Sequence, residues 1–490
     1  MKKIILGAIS LFLIAIFVGS FVAGPVTKST LESQIAEINK MPGYKAELVE
    51  YNSGWRKADG KIRIGFDWNF FTALSANDLT PEQKANLAKM PGHLLLDVRV
   101  AHGPILANKL TNDWPALGLS FVQFTPDVSD NPSLKLFQEQ AKVDTLFTYQ
   151  TLIGLFGGSS FSLDSPPLKF VDEPSGSHFS FGGTQIEGNY HLGSKAVTFE
   201  GVLLPLKLVS EEASFEISAM ELSADLVMLN QMTSLGEMEF KVAKMSGLDQ
   251  GQQKSDVSEF SMVDLLIRYE GEKDSEETVK MAVKYGIGEV VVGDQRLAEM
   301  NFQMVFERLG IDTLQKYYDQ LINLSQNSDD TPAMLQQQLK MMSELGADFL
   351  NQSPAVDIPD ISFVMDEGKF SANARVDFDG QGIDITSDDL ANPLALMARL
   401  KVKGDVNVDQ KMLDTLGIKM LSDQIKTQLA AQDQQMPEHD INELAENQLQ
   451  ALVGQQVQQG MIMSTANGYR ASFSMDNGAM KLNGKPFSPF

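Results

Sequence analysis

His102 is the residue whose type and position come closest to an acid–base group. It continues the alternation of apolar residues that includes Leu96 and Val98, and a Gly-Pro pair follows it directly. An imidazole changes charge near neutral pH and can therefore transfer protons. The nearest carboxylate in the sequence, Asp97, has the opposite strand parity and cannot orient the ring. The pattern favours a structural histidine at a strand end, and His102 stays a speculative functional residue.

A partial calcium loop is the second candidate. Its oxygen donors at positions 1, 3 and 5, glycine at 6 and carboxylate at 12 are Asp377, Asp379, Gln381, Gly382 and Asp388. However, an aspartate occupies position 8, where a hydrophobic residue is usual, and position 12 lacks the longer bidentate glutamate. A hairpin turn at Asp379-Gly380 explains these residues better than a metal site.

Other standard signatures of chemistry are missing from the sequence. It contains no Gly-x-Ser-x-Gly elbow, no His-Glu-x-x-His pair and no Walker phosphate loop. The glycine cluster Gly154, Gly157, Gly158 lacks the lysine of a phosphate loop and is typical of a flexible connection. The sequence therefore predicts no catalytic, cofactor-binding or metal-binding residue, and no enzyme.

Period-two alternation of apolar residues predicts the elements that hold these side chains. Such runs are Ile62–Trp68, Leu94–Val100, Val279–Ile287, Ala298–Phe306, Phe370–Phe378, Leu396–Val402 and Tyr469–Met475. Asn477-Gly478 and Asn483-Gly484 predict tight hairpin turns near the C-terminus. Since βα alternation is missing, we expect an α+β, mostly β fold with a long, curved antiparallel sheet or meander.

Apolar residues at helical spacing predict a few amphipathic helices. The first has Leu31, Ile35, Ile38 and Met41 on one face, and the second follows Thr331-Pro332 as far as Phe349. The third region, residues 409–459, includes an Asp440/Glu443 capping box and an apolar face of Ile441, Leu444 and Leu452. Covering a face of the sheet is the expected role, and binding a partner or a membrane surface is the alternative.

The N-terminus has the pattern of a membrane anchor. Lys2 and Lys3 precede the uncharged run Ile4–Gly24, which is about the 20 residues that a helix needs to span a bilayer. A cleaved signal peptide is the alternative, but Phe21 occupies a position that favours a small residue if cleavage follows Ala23. We expect one transmembrane helix with the N-terminus in the cytoplasm.

Composition is consistent with an exported body. The chain has 490 residues, no cysteine and a net charge of −24, so disulfides are excluded and nucleic acid is a poor partner. The predicted organisation is an anchor over residues 1–26, a β-rich region over 27–308, and an α+β region over 309–490 with two helical segments and a terminal hairpin.

Several landmarks together resemble those of the YdgA family. They are the anchor, Tyr51 with Gly54-Trp55, the segment Val100–Ile105, the strand Ile358–Phe363, and the C-terminal runs Ser472–Gly478 and Leu482–Lys485. The resemblance covers nearly the whole chain and implies a Gram-negative inner-membrane protein with a periplasmic body. It implies no catalytic residue, because this family of bacterial envelope proteins is described as a domain of unknown function.

The sequence leaves two hypotheses about function. One is a non-enzymatic, membrane-tethered protein that binds lipid, another apolar ligand or an envelope protein through the apolar side of its sheet. The other is an envelope hydrolase or other enzyme whose site is assembled from distant residues. A long apolar groove favours the first, and a compact pocket with clustered carboxylates and His102 favours the second.

Overall fold

The computed structural model describes 14 stretches of the chain. They are residues 26–41, 43–68, 92–106, 116–172, 176–191, 193–230, 232–249, 258–293, 295–326, 345–365, 368–380, 396–431, 434 and 436–487. The chain divides into two compact units. The first unit is Met1–Met238 with Gln315–Leu339, and the second is Glu239–Leu314 with Lys340–Phe490.

The first unit is built from short and medium strands. They are β1 (Tyr44–Ser53), β2 (Lys57–Phe66), β3 (His93–His102), β4 (Ile105–Leu106), β5 (Ala116–Leu117), β6 (Ser120–Asp127), β7 (Thr148–Ile153), β8 (Gly158–Ser165), β9 (Leu168–Asp172), β10 (Ser177–Phe181), β11 (Thr184–His191), β12 (Ala196–Leu203), β13 (Leu206–Val209), β14 (Ala213–Ile217) and β15 (Met220–Met228). Its helices are α1 (residues 26–38) and α2 (Pro132–Ala141).

Nine strands of the first unit form an antiparallel sheet in the order β1-β2-β3-β6-β7-β8-β11-β12-β15. The alternation in β2 and β3 directs one set of side chains from both strands to the same face. Ile62 pairs with Leu96, and Ile64 pairs with Leu94. α1 covers this face, where Leu31 and Ile35 are buried in a core cluster with residues of β1, β2, β3 and β6. The predicted amphipathic role of α1 is confirmed, except that Met41 lies beyond the helix and is exposed.

Four strands of this unit turn a corner together. β8 becomes β9 at Pro166-Pro167, β10 becomes β11 at Gly182-Gly183, β12 becomes β13 at Leu204-Pro205, and β14 becomes β15 at Ser218-Ala219. The second arms pair as β9-β10-β13-β14, also antiparallel. Hydrogen bonds join neighbouring corners, from Gly182 N–H to the Pro205 carbonyl (2.9 Å) and from Leu204 N–H to the Gly183 carbonyl (2.8 Å). Proline removes a ladder donor, so Pro166-Pro167 and Pro205 break two of these strands where the sheet bends.

The second unit contains longer strands and most of the helices. After β16 (Ser234–Asp249), which begins in the first unit, come β17 (Ser258–Lys273), β18 (Thr278–Val292), β19 (Gln295–Gly310), β20 (Ala355–Met365), β21 (Gly368–Phe378), β22 (Leu400–Asp409), β23 (Met463–Ser464), β24 (Gly468–Asp476), β25 (Ala479–Leu482) and β26 (Lys485–Pro486). The helices are α3 (Ile311–Gln326), which continues into the first unit, α4 (described over 345–351), α5 (Gln410–Ala431) and α6 (Glu438–Gln458). β17 to β22 pair consecutively, and β24 pairs with β22.

The mostly β, antiparallel class predicted from the sequence is confirmed, because every described strand pair is antiparallel. Both C-terminal turns are confirmed too, since Asn477, Gly478, Asn483 and Gly484 all have positive φ. The division predicted at residue 308 stays a prediction.

Several local predictions were wrong. β2 ends at Phe66, before Trp68, and β22 begins at Leu400 rather than Leu396. No two-residue hairpin exists at Asp379-Gly380, because β21 ends at Phe378, which pairs with Leu400 across a long connection. Helices α2 and α3 were not predicted. The helix predicted from Thr331 lies outside the described residues up to 344.

The predicted cap of α6 was also wrong, and of its predicted apolar face only Ile441 is confirmed. Pro437 precedes the helix without a side-chain cap, and the buried residues are Ile441, Ala445 and Leu449, whereas Leu444 and Leu452 are exposed. The reason is the packing of α6 on α5, where Gly417 leaves room for Leu449. A Cβ atom at residue 417 would lie 2.6 Å from the Leu449 Cδ1 atom.

Candidate ligand-binding cavity

An apolar cavity of about 700 Å³ lies in the first unit, between α1, the nine-stranded sheet and the strand corners. Cavities that hold small ligands range from about 300 to 1,000 Å³. The lining residues come from α1, β2, β3, from β6 to β11 and from the connection before β7: Leu31, Gln34, Ile35, Ile38, Ile62, Ile64, Leu94, Leu96, Phe124, Leu146, Phe147, Tyr149, Leu163, Ser165, Leu168, Phe181 and Thr184.

Strand register explains one wall of the cavity. Ile62 and Leu96 are direct cross-strand partners, and both side chains point to the face that α1 covers. Further along the sheet, Tyr149 pairs with Leu163 in the same manner. Because side chains alternate between faces, the cavity-lining residues of β2, β3 and β8 are each two positions apart.

The strand corners form the other wall. Ser165 and Leu168 lie on either side of the first corner, and Phe181 and Thr184 lie on either side of the second. Gly183, between the latter two, has a φ of +107°, and a Cβ there would lie 2.5 Å from the Ser165 carbonyl oxygen. Only glycine fits this position, where the first two corners approach each other closely.

Few polar groups reach the cavity. The Ser165 hydroxyl donates to the Leu146 carbonyl at 2.9 Å, which occupies its proton. Tyr149 stacks at a tilt between Phe124 and Phe161, with ring centroids 5.6 and 6.2 Å away. Burial raises the pKa of the Tyr149 phenol, so the ring stays neutral at physiological pH. No Asp, Glu, Lys, Arg or His belongs to the lining given above.

His102 lies on the same sheet face, at the end of β3, but it is not among the cavity-lining residues. Its side chain is 1% exposed, and neither ring nitrogen has a hydrogen-bond partner among the described residues. Ser120, its direct partner on β6, is equally buried, and its hydroxyl also lacks a described partner. Burial lowers the pKa of the His102 imidazole, which is therefore neutral at pH 7. The structure brings no described carboxylate to the ring that could orient it.

The aspartate at the first position of the calcium-like pattern is bound to arginines in the second unit. Asp377 accepts hydrogen bonds from Arg375 Nε at 2.8 Å and from Arg308 at 2.9 Å. The Arg375 hydrogen bond is the main reason that the pKa of Asp377 is lowered. Arg375 also binds Glu307 at 2.6 Å, so guanidinium groups already neutralise these carboxylates.

The rest of that pattern, Gln381, Gly382 and Asp388, lies outside the described residues. Within the described stretches, no group of three or more His, Cys, Asp or Glu side chains is arranged to hold a metal ion. Asp377, at the first position, therefore has a structural role as the partner of Arg375 and Arg308.

The cavity was not predicted from the sequence, although part of its signal is visible there. Pro166-Pro167 and Gly182-Gly183 each interrupt an apolar alternation, which is typical of a bent strand. The four strand corners lie side by side only because their strands pair with one another. These pairs join residues that are distant in the sequence, so local patterns do not reveal them.

Among the described helices, none combines the length and apolar character needed to cross a membrane. The predicted anchor, Ile4–Gly24, lies outside the described residues and stays a prediction.

A family model described as a bacterial protein of unknown function (DUF945) matches residues 1–490, so the chain belongs to this family. The resemblance to the YdgA family is compatible with this result and stays a resemblance. No curated protein and no solved structure matches the chain.

Proposed function

We propose that this member of the DUF945 family binds the apolar chain of a lipid or fatty acid in the cavity between α1 and the sheet. The proposal includes the predicted location, in which residues 4–24 tether the protein to the bacterial inner membrane and the body lies in the periplasm. The observation that carries it is the cavity of about 700 Å³ with an almost wholly apolar lining.

The chemistry of the lining supports an apolar ligand. An apolar chain that leaves water for this site gains about 25 cal/mol per Å² of buried surface. A charged group in the same place would lose its hydration and find no ion pair there, because the lining has no ionisable side chain other than the neutral Tyr149. We therefore infer that any polar head group of the ligand stays outside the cavity.

The enzyme hypothesis receives less support from the geometry. Acid–base or nucleophilic catalysis needs titratable groups within reach of the substrate. His102 is the residue that the sequence offered for this role, and it is enclosed in the core beyond the cavity lining.

Photo-crosslinking in membranes tests the ligand. The full chain would be expressed in a Gram-negative host and exposed to palmitic acid that carries a diazirine and an alkyne. We expect light-dependent crosslinks on peptides that line the cavity, such as those containing Tyr149 or Leu163, and we expect unlabelled palmitic acid to compete.

A matched pair of variants makes the test specific. Leu163→Trp fills the cavity without adding charge and should reduce crosslinking several-fold. Gln185→Trp adds the same side chain to an exposed position of β11 and should leave crosslinking unchanged. Equal labelling in both variants, or labelling confined to peptides outside the cavity, would show that the cavity is not the binding site.

A further inference from the structure

One edge of the nine-stranded sheet in the first unit collects five connections. The register places the β1–β2, β3–β6, β7–β8, β11–β12 and β15–β16 connections at the same edge. We call this the loop edge, and its described residues are 54–56, 103–106, 116–119, 154–157, 193–195, 229–230 and 232–233.

Large apolar side chains are exposed at three successive positions along the loop edge. Trp55 is 45% exposed in the first connection, Leu117 is 65% exposed in the second, and Phe156 is 89% exposed in the third, next to the exposed Leu155. Single exposed apolar residues are common on proteins, but a row of them on neighbouring loops marks an interaction surface. The small residues around Phe156 leave its ring projecting, because Gly157 has a φ of +85° and open space around it.

The loop edge also departs from the acidic character of the chain. Its charged side chains among the described residues are Arg56 and Lys195, and Lys57 follows at the start of β2, all three exposed. No described residue of the five connections is acidic, and Asp113 lies outside the described residues. At the opposite edge acidic residues outnumber basic ones, because Asp67, Asp130, Glu139 and Asp144 stand against Lys135 and Lys142 among its described connections.

α1 joins the nine-stranded sheet to the predicted membrane segment. α1 ends beside the opposite edge, where the Asn39 side chain donates to the Ala46 carbonyl at 2.9 Å and accepts from the Ala46 N–H at 2.7 Å. The helix is about 20 Å long, and its Leu31 and Ile35 belong to the core cluster that also contains Ala58 and Val100, near the loop-edge ends of β2 and β3. Pro25 alone separates Val26, the first described residue of α1, from the uncharged run Ile4–Gly24.

We propose that the loop edge rests on the lipid bilayer, with Trp55, Leu117 and Phe156 inserted among the head groups. Tryptophan and other amphipathic rings favour the membrane interface, and apolar side chains gain free energy by burial about 5–10 Å into the head-group boundary. Arg56, Lys57 and Lys195 lie at the level of the anionic phosphates, while the acidic edge faces away. This inference rests on the proposed membrane tether, and it is independent of the cavity ligand.

The absence of cysteine makes a site-specific test possible. The full chain would carry a single spin label at Phe156→Cys or Leu117→Cys, and at Ser129→Cys on the opposite edge as the control. All three positions are exposed, so the labels should not disturb folding. After reconstitution in phosphatidylethanolamine/phosphatidylglycerol vesicles, flotation confirms insertion, and electron paramagnetic resonance measures collisions with oxygen and with a water-soluble nickel complex.

We expect the ratio of oxygen to nickel collisions to be several-fold higher at residues 156 and 117 than at 129. Adding Leu155→Glu and Phe156→Glu to the Leu117→Cys chain should lower the ratio at 117, while the anchor still holds the protein on the vesicle.

The proposal would be overturned if the labels at 156 and 117 collide with nickel as often as the label at 129. Protection from both reagents at 156 would overturn it as well, because it would show a protein surface covering the loops. A chain that does not float would overturn both this proposal and the tether, but not cavity binding.

Discussion

At the scale of single residues, His102 is unusual because its ring is enclosed without a described hydrogen-bond partner. Buried polar atoms usually have partners, and each one without a partner costs about 1–3 kcal/mol. Strand parity explains the placement. His102 N–H donates to the carbonyl of Arg56, just before β2, so His102 forms a non-hydrogen-bonded pair with Ser120, in which side chains are closest.

Protonation of His102 should destabilise the fold. The unfolded chain binds this proton near the ordinary pKa of 6.5, whereas burial lowers the pKa in the folded state. The unfolded state therefore holds more protons below pH 6.5, and the free energy of unfolding falls as the pH decreases from 7 to 5. We expect His102→Leu to remove on the order of 1 kcal/mol of this pH-dependent loss, measured as a shallower decrease of the thermal midpoint.

A matched histidine separates this effect from general acid sensitivity. His191 is exposed at the end of β11, and His191→Leu should retain the pH dependence of the unchanged chain. If His102→Leu and the unchanged chain lose stability in parallel between pH 7 and 5, the buried ring is not the group that titrates.

At the scale of elements, the strand corners determine the shape of the cavity. Gly183 is the tightest point, since its positive φ and the close Ser165 carbonyl both exclude a side chain. Gly183→Ala should destabilise the protein by about 2–4 kcal/mol, combining an unfavourable φ with overpacking. Denaturant unfolding measures the loss, and crosslinking of the palmitic acid probe should fall with it.

Gly176→Ala provides the control for Gly183→Ala. Gly176 also has a positive φ, of +64°, but nothing lies within 4 Å of its Cβ position. The Gly176→Ala variant should therefore lose only about 1 kcal/mol of its free energy of unfolding, and the palmitic acid probe should still label it. Equal losses in the two variants would show that the corner contact contributes nothing beyond backbone strain.

Elements with strong local signals could be predicted from the sequence, and elements set by distant partners could not. The alternation in β3 and β18 identified both strands, and Asn477-Gly478 identified its turn, because these patterns follow directly from backbone geometry. The buried face of α6 depends on where α5 has a glycine, so its own apolar residues predicted Ile441 correctly but Leu444 and Leu452 wrongly. The cavity was missed for the same reason, since the four corners meet only after pairing.

At the scale of the whole molecule, charge and the predicted anchor bear on location. The net charge of −24 keeps an exported body soluble and repels anionic surfaces, so contact with a membrane needs an exceptional region of the surface. The loop edge is such a region in the first unit, because its described residues combine exposed apolar and basic side chains.

Topology is the whole-molecule prediction. Lys2 and Lys3 precede the uncharged run, so the positive-inside rule keeps them in the cytoplasm and exports the chain after about Thr27. Alkaline phosphatase fused after Phe490 should therefore be active, since this enzyme folds only after export. Deletion of residues 4–24 from the same fusion should abolish the activity and provides the control. A fusion to a fluorescent protein that folds only in the cytoplasm should stay dark, and bright fluorescence would contradict the topology.

The mass of the purified chain decides between the two interpretations of the N-terminus. A mass of 53.9 kDa corresponds to a retained anchor, whereas a mature form beginning at Gly24 corresponds to a cleaved signal peptide.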